Sequence, residues 1–515
     1  MRLGIMKGVV TAVTLAMLAT ACGDDDDDEG TDPITNPGDG DGGGDGGGDG
    51  GGDGDGGGDG GGDGGGDGDA SQTIVELAAG NPDLSILAEA LDEQGLIDTL
   101  NGDGPFTVFA PTNAAFENFP IDVGTLEPEV LTTILTYHVI AGSEIMSNMI
   151  TDGQTATTFE ASDAELVFNV AGGNVYINGV TTVTTPDVDA TNGVVHVIDS
   201  ILLPPSVAFP GDVVDAVTYF GRLGTLATAV TEADADDDVD LIAPLQGNGI
   251  TLFAPTNAAF GLIPMMDLNA LLGDVPALTA TLQYHVLAGD GDGLTEAEID
   301  GSLNALGQAT LETFEGSRFL VSTANGLQVN DSNVIFPDFV TTNGVIHLID
   351  QVLSVPGDIA SVASADPELS TLVTALAANE LVATFVDSDE NDDEFTVLAP
   401  TNAAFADLGL PDDNDEDNSE FAGLTNTLLY HVLDVFADST VVISLDGAST
   451  PTLLSGDDTE FATIAVAIRD DSGTPVVELT DDSGAMIDVV ATDIIASNGV
   501  IHKIEAVLTP PSVNE

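Results

Sequence analysis

Histidine, clustered aspartate and a single cysteine are the side chains of this sequence that could do chemistry, and their spacing limits what that chemistry is. The six histidines fall in three pairs: His138 and His196, His285 and His347, His431 and His502. An imidazole near neutral pH can carry a proton for acid or base work, or bind a transition metal where three or four ligands converge. His138, His285 and His431 each follow a tyrosine and continue a leucine spacing of four and seven: Leu131 and Leu135, Leu278 and Leu282, Leu424 and Leu428. Those offsets put each ring on the apolar stripe of a helix, at its end, where a hydrogen-bonded core residue is expected. The other three histidines sit in "TNGVVHVID" (Thr191 to Asp199), "TNGVIHLID" (Thr342 to Asp350) and "SNGVIHKIE" (Ser497 to Glu505). There Asn-Gly marks a tight turn into an alternating strand. In the third copy Lys503 and Glu505 share one face, taken as the wet one, so Val500, His502 and Ile504 share the buried one. By the same register His196 and His347 point inward while Asp199 and Asp350 point outward. With that carboxylate turned away and no cysteine in these segments, neither a histidine metal site nor any other cofactor is expected.

The acidic runs Glu232 to Asp240, Asp387 to Glu394 and Asp412 to Glu420 raise calcium as a ligand. Asp413, Asp415 and Asp417 have the first, third and fifth places of a calcium loop, but the sixth is Asn418 instead of glycine and the twelfth is Leu424 instead of glutamate. A solvated loop is the first expectation and a calcium site the second. The repeats hold no Gly-x-Ser-x-Gly elbow, phosphate-cradling glycine loop or Cys-His pair, so no enzyme is expected. The net charge of -82, from 88 acidic against 6 basic side chains, excludes nucleic acid, whose binding needs Lys and Arg against phosphates. Such a surface suits salty external water, where screening weakens self-repulsion.

The elements that position these residues are written three times. "TVFAPTNAAF" at Thr107 returns as "TLFAPTNAAF" at Thr251 and "TVLAPTNAAF" at Thr396, dividing the 515 residues into three homologous units, in line with about 150 residues per domain. "TVFA" has the composition of a buried strand, and Pro111 holds Ala110 extended. Thr112 or Asn113 then caps a helix that begins with Ala114, Ala115 and Phe116. Upstream, "TIVELAAGNPDLSILAEALDEQGLIDTL" predicts helices joined at Asn81-Pro82; downstream, "AELVFNVAGGNVYINGV" predicts strands joined by glycine turns.

The N-terminus carries an address. Arg2 and Lys7 precede "GVVTAVTLAML", and "LATAC" leads to the only cysteine, Cys22. Residues 1–21 predict a cleaved secretory signal, and the stretch resembles a bacterial lipoprotein signal with Cys22 as the lipid-bearing first residue, although Ala19 stands where leucine is usual. Residues 22–70 predict a disordered acidic Gly/Asp tether, in which no large apolar residue between Gly38 and Asp69 could fill a calcium-binding β-roll.

"FAPTNAAF", the Tyr-His pairs and the closing "NGVxHxID", in that order in all three units, resemble the motifs of the fasciclin, or FAS1, domain family, with Leu398 in place of a phenylalanine and "KIE" closing the third copy. The resemblance implies an α+β chain of three tandem domains, each a wedge of β-sheet flanked by helices, over 71–206, 211–356 and 357–512 behind the tether. It further implies secreted or surface-anchored adhesion proteins, with binding assigned to the Tyr-His segment and the closing Ile-Asp. The matching positions are Tyr137, His138, Ile198 and Asp199, then Tyr284, His285, Ile349 and Asp350, then Tyr430 and His431. The expectation is a non-catalytic, lipid-anchored protein of the cell envelope, at the outer membrane or cell surface, that binds extracellular matrix, a cell-surface protein or a polysaccharide. The alternative is a calcium-responsive extracellular scaffold that uses its acidic loops.

Overall fold

The strand, corner and helix start of the decamer form in every copy. In the computed structural model, which describes residues 71–160, 164–234, 241–289, 291–314, 316–323, 326–386, 394–410, 421, 423–444, 447, 449–455, 461–471 and 474–511, the first unit opens with α1 (Ile74–Gly80), α2 (Ser85–Glu93) and α3 (Ile97–Leu100). There follow β1 (Phe106–Pro111), α4 (Asn113–Glu117) and α5 (Pro128–Tyr137). Six more strands complete it: β2 (Val139–Ala141), β3 (Thr155–Thr157), β4 (Glu165–Ala171), β5 (Asn174–Ile177), β6 (Thr181–Ala190) and β7 (Gly193–Ile198).

A capping box starts α1: the Thr73 hydroxyl accepts from the Glu76 amide, and the Glu76 carboxylate accepts from the Thr73 amide at 2.9 Å. At α4 the choice left open by the sequence falls to Thr112, whose hydroxyl accepts from the Ala115 amide at 3.2 Å; Thr256 and Thr401 cap their helices in the same way. The asparagine is thereby freed to tie two helices together. Asn113 accepts from the Ile86 amide and donates to the Pro82 carbonyl, and Asn257 and Asn402 repeat both bonds one and two units later.

Each unit has a seven-stranded sheet with the spatial order β2-β1-β7-β6-β5-β4-β3 or its equivalent. β1 and β7, second and third in that order, run parallel and form the centre of the domain between its two cores, and the neighbouring pairs are antiparallel. The helices cover one side of this centre, where Val108, Ala110 and Val195 join the helical residues Leu87, Leu91 and Leu131. The outer strands curl over the other side, where Phe109 and Ile198 pack with Phe168 and Ile177. The result is a wedge with two cores and a central pair of strands buried on both faces.

That double burial overturns one expectation. Lys503 does not lie on a wet face: it is 9% exposed, and its ammonium lies 2.5 Å from Asp366 and 2.7 Å from Glu368. Alternation separates wet from dry only where one face of a strand meets solvent, and this strand has a core on each side. Glu505, just beyond it, is exposed. Asp199 and Asp350 are likewise not free outward groups; they are half-buried and accept from the Thr182 and Asn333 amides at 2.7 and 2.8 Å, pinning the neighbouring strand. The turn before β7 is also displaced by one residue, because Ala190 pairs with Gly193 and so Thr191-Asn192 forms the turn. Gly193 is required for another reason. A Cβ there would lie 2.0 Å from the Phe106 carbonyl oxygen, and at Gly344 and Gly499 it would lie 2.1 and 2.0 Å from the equivalent carbonyls.

Candidate functional site

The Tyr-His segment is built by the end of α5. Its last residue is Tyr137, and His138 is its C-cap, with the ring folded back so that Nδ1-H donates to the Ile134 carbonyl at 2.7 Å. Nε2 then accepts from the Leu202 amide at 2.9 Å, clipping the segment that leaves the domain. The pattern repeats at His285 with Thr281 and Leu353, and at His431 with Thr427 and Leu508. All three rings are buried. Burial outweighs the carbonyl hydrogen bond and lowers each of the three to about 4. Protonation would also set an Nε2-H against a backbone N-H.

The second set is wired with the opposite tautomer. Nε2-H of His196, His347 and His502 donates to the carbonyls of Ile145, Leu294 and Ala437 at 2.8, 2.8 and 2.7 Å. Nδ1 accepts from the amides of Asp187, Asp338 and Asp493 at 3.1, 3.3 and 3.2 Å. Burial lowers His196 and His347 below the usual imidazole range against the pull of the carbonyl bonds. These three aspartates are functional to the fold and were not singled out from the sequence. Each has a left-handed backbone, with φ of 57°, 58° and 58°, at a register shift in the strand before the histidine. Each carboxylate takes up a further amide, that of Ser147, Glu296 or Ser439. The signal was present: an aspartate stands nine residues before the closing histidine in all three copies.

Every imidazole thus spends one donor and one acceptor on the backbone, which leaves none for acid, base or ligand duty at the surface. Tyr137, Tyr284 and Tyr430 are buried with them, their hydroxyls donating to the carbonyls of Glu165, Arg318 and Thr463 at 2.8, 2.8 and 2.9 Å. Ile198 joins Tyr137 in one core and Ile349 joins Tyr284 in its counterpart. Of the positions that the resemblance implies for binding, Asp199 and Asp350 alone keep partial exposure.

Asp413, Asp415 and Asp417, residues 235–240 and 387–393, Cys22 and the whole of 1–70 lie outside the described residues. Among the described residues, no group of three His, Cys, Asp or Glu is placed to hold a metal ion, and no helix is long and apolar enough to cross a membrane.

The units meet through their few cations. Arg222 of the second unit is buried, stacks 4.0 Å over the Tyr176 ring of the first and donates to the Gly179 carbonyl. At the same junction Phe119, Phe209, Tyr219, Phe220 and Phe339 form an aromatic cluster with neighbouring centroids 4.9 to 5.8 Å apart, and one apolar core runs through both units. Arg318 reaches forward to the third unit, stacking 4.1 Å over Phe436 and pairing with Glu394. Leu306 packs against a core of the third unit, and the other contacts described at that junction are polar. Thr310 donates to Asp438, Asn304 to Ser439 at 2.7 Å, and Thr492 to Gln308 at 3.0 Å.

Residues 82–204, 221–356 and 367–510 each match the fasciclin domain. The chain is 30% identical to the transforming growth factor-beta-induced protein ig-h3 of Sus scrofa over 440 residues, 83% of this chain and 56% of that protein. It is 32% identical to periostin of Homo sapiens over 332 residues, 61% of this chain and 36% of that one, so it spans about half or less of these two relatives. With immunogenic protein MPB70 of Mycobacterium bovis it shares 39% identity over 145 residues, 26% of this chain and 72% of the relative.

Proposed function

The chain belongs to the fasciclin domain family, and from that premise we propose that it is a non-catalytic adhesion protein, held at a cell envelope through Cys22 and presenting three domains (71–206, 211–356 and 357–512) beyond a Gly/Asp tether. One observation carries the reading: the six imidazoles, the residues best able to do chemistry, are each consumed by two backbone hydrogen bonds. What is left for recognition is the outer surface. The Tyr-His segments and the closing Ile-Asp act in this reading by shaping that surface from beneath, with Asp199 and Asp350 as the members a ligand can touch. Three related surfaces on one chain gain avidity through effective concentration even when each binds weakly. Matrix protein, cell-surface protein and polysaccharide are the ligand classes proposed.

The test is retention of beads coated with residues 67–515 on surfaces of matrix protein, whole cells and polysaccharide, under flow and in salt. Retention on one class, lost on soluble competition with the same fragment, is the expected result. Beads that wash off all three surfaces as fast as uncoated ones sink the proposal.

A further inference from the structure

The junction of the first two units encloses a cleft of about 330 Å³, at the lower end of the roughly 300–1,000 Å³ of small-molecule sites. Interiors rarely leave a gap much larger than a water molecule. Here the gap is lined by side chains of both units and by Pro204, Pro205, Ser206 and Val207 of the segment that connects them. Phe220, Phe336 and Phe339 from the second unit and Val207 from the connection form an apolar wall. Water against that wall is poorly hydrogen-bonded, so an apolar body that displaces it is favoured.

The charged lining has one sign. Tyr137 and Asn178 contribute a hydroxyl and an amide already bonded to each other at 2.9 Å. The charged lining groups are two carboxylates, Glu165 and Asp338. Asp338 accepts from the Glu296 amide at 2.6 Å, whereas the exposed Glu165 carboxylate has no ion pair or hydrogen bond among the described residues. The nearby cation, Arg222, is not part of the lining: it faces the Tyr176 ring and the Gly179 carbonyl. A carboxylate ligand would therefore meet like charge, and a cationic head would meet the exposed Glu165 carboxylate beside an apolar wall.

We propose that this cleft binds a small amphipathic molecule with an aromatic or aliphatic body and an ammonium head, seated on the phenyl rings with its charge at Glu165. The second junction, closed by Thr310, Asn304 and Arg318, offers no such wall. The site stands apart from adhesion at the outer surface and does not depend on it.

Calorimetric titration of the full chain with phenylbutylammonium, phenylbutanol and phenylbutyrate holds the body constant and changes the head. It is done in about 0.5 M salt to screen the diffuse field of the acidic surface. Saturable one-to-one binding is expected in the order ammonium, alcohol, carboxylate, with about tenfold or more between first and last, equivalent to about 1.4 kcal/mol. Glu165→Gln brings the ammonium to within about threefold of the alcohol. Ala208→Trp, at an exposed lining position, abolishes binding of all three, and Ser206→Trp is a second obstruction should the first perturb folding. No saturable heat with any of the three, equal binding after both obstructions, or a carboxylate that binds as tightly as the ammonium would each overturn the proposal.

Discussion

The two junctions solve the same problem, joining acidic domains, by different means. The first is a continuation of the core: Phe209, Tyr219, Phe220 and Phe339 interlock, and the Tyr219 hydroxyl reaches the Ala115 carbonyl of the preceding unit at 2.9 Å. The second is largely a hydrogen-bonded surface: the third unit has separate cores, to which the second unit adds Leu306 at the edge. Apolar burial is not weakened by charge screening and has no titrating group, whereas hydroxyl, carboxylate and guanidinium contacts compete with water and ions. The first two units should thus behave as one cooperative body and the third as a docked one. Asp493 sharpens the contrast. It is buried near Asp438, and its Oδ2 has no hydrogen-bond partner among the described residues. Burial, opposed by His502, raises it above the usual carboxylate range.

The largest way to break this comparison is Phe220→Ala, which opens a hole in the shared core and should cost about 3–5 kcal/mol. Calorimetry should show the first two units shifting together while the transition of the third stays in place; independent shifts of units one and two would refute the shared body.

Acid comes next. His138, His285 and His431 are lowered to about 4, against about 6.5 unfolded. Their contribution is complete above the unfolded value and is lost as pH falls from there toward the folded one, roughly 2 kcal/mol per unit of the chain between pH 6.5 and 5. Asp493 has the opposite sign: its raised folded value favours the protonated form, so its contribution is present in acid and lost as pH rises. Melting followed downward from about pH 7.5 should therefore show a smaller acid loss in the third unit once the pH enters the range between the folded and unfolded values of Asp493. Uniform loss would remove Asp493 from the account.

Arg222→Met removes a desolvated stacking contact and a carbonyl hydrogen bond, and should cost about 2 kcal/mol with little salt dependence. Arg318→Met removes a more exposed pair and should cost only about 0.5–1 kcal/mol, less in high salt. Amide exchange across Ser439–Ser444 reads the second directly, since loosening of the third unit frees that helix first. Equal costs and equal salt dependence would erase the distinction between the junctions.

Most of the fold within a unit was legible because it is local. The strand, corner and cap of "FAPTNAAF" and the leucine-histidine stripe need only neighbours within one or two turns, and all six rings lie inside as their spacing implied. Lys503 was misread because alternation cannot tell a strand with one wet face from one enclosed on both. The aspartates at 187, 338 and 493 recur at a fixed distance from histidine, yet the register shift that puts them under its ring depends on pairing across the sheet. The junctions were illegible for a different reason: they join copies, and a repeat shows what copies share. The clue lay in a difference. Gly179 of the first unit stands where the second has Asp331, and a Cβ at Gly179 would sit 2.5 Å from Phe336.

The placement of cations has an outcome for the chain's resistance to proteolysis. Within residues 71–515, an endopeptidase that cleaves after basic residues has four recognition points, Arg222, Arg318, Arg469 and Lys503. The buried Arg222 lies in a turn of 3-10 helix, Arg318 opens a strand, Arg469 and Lys503 lie within strands, and the last three are engaged with carboxylates. Digestion needs an extended segment drawn out of the fold, so trypsin-like attack has to wait for an unfolding event at each of these points.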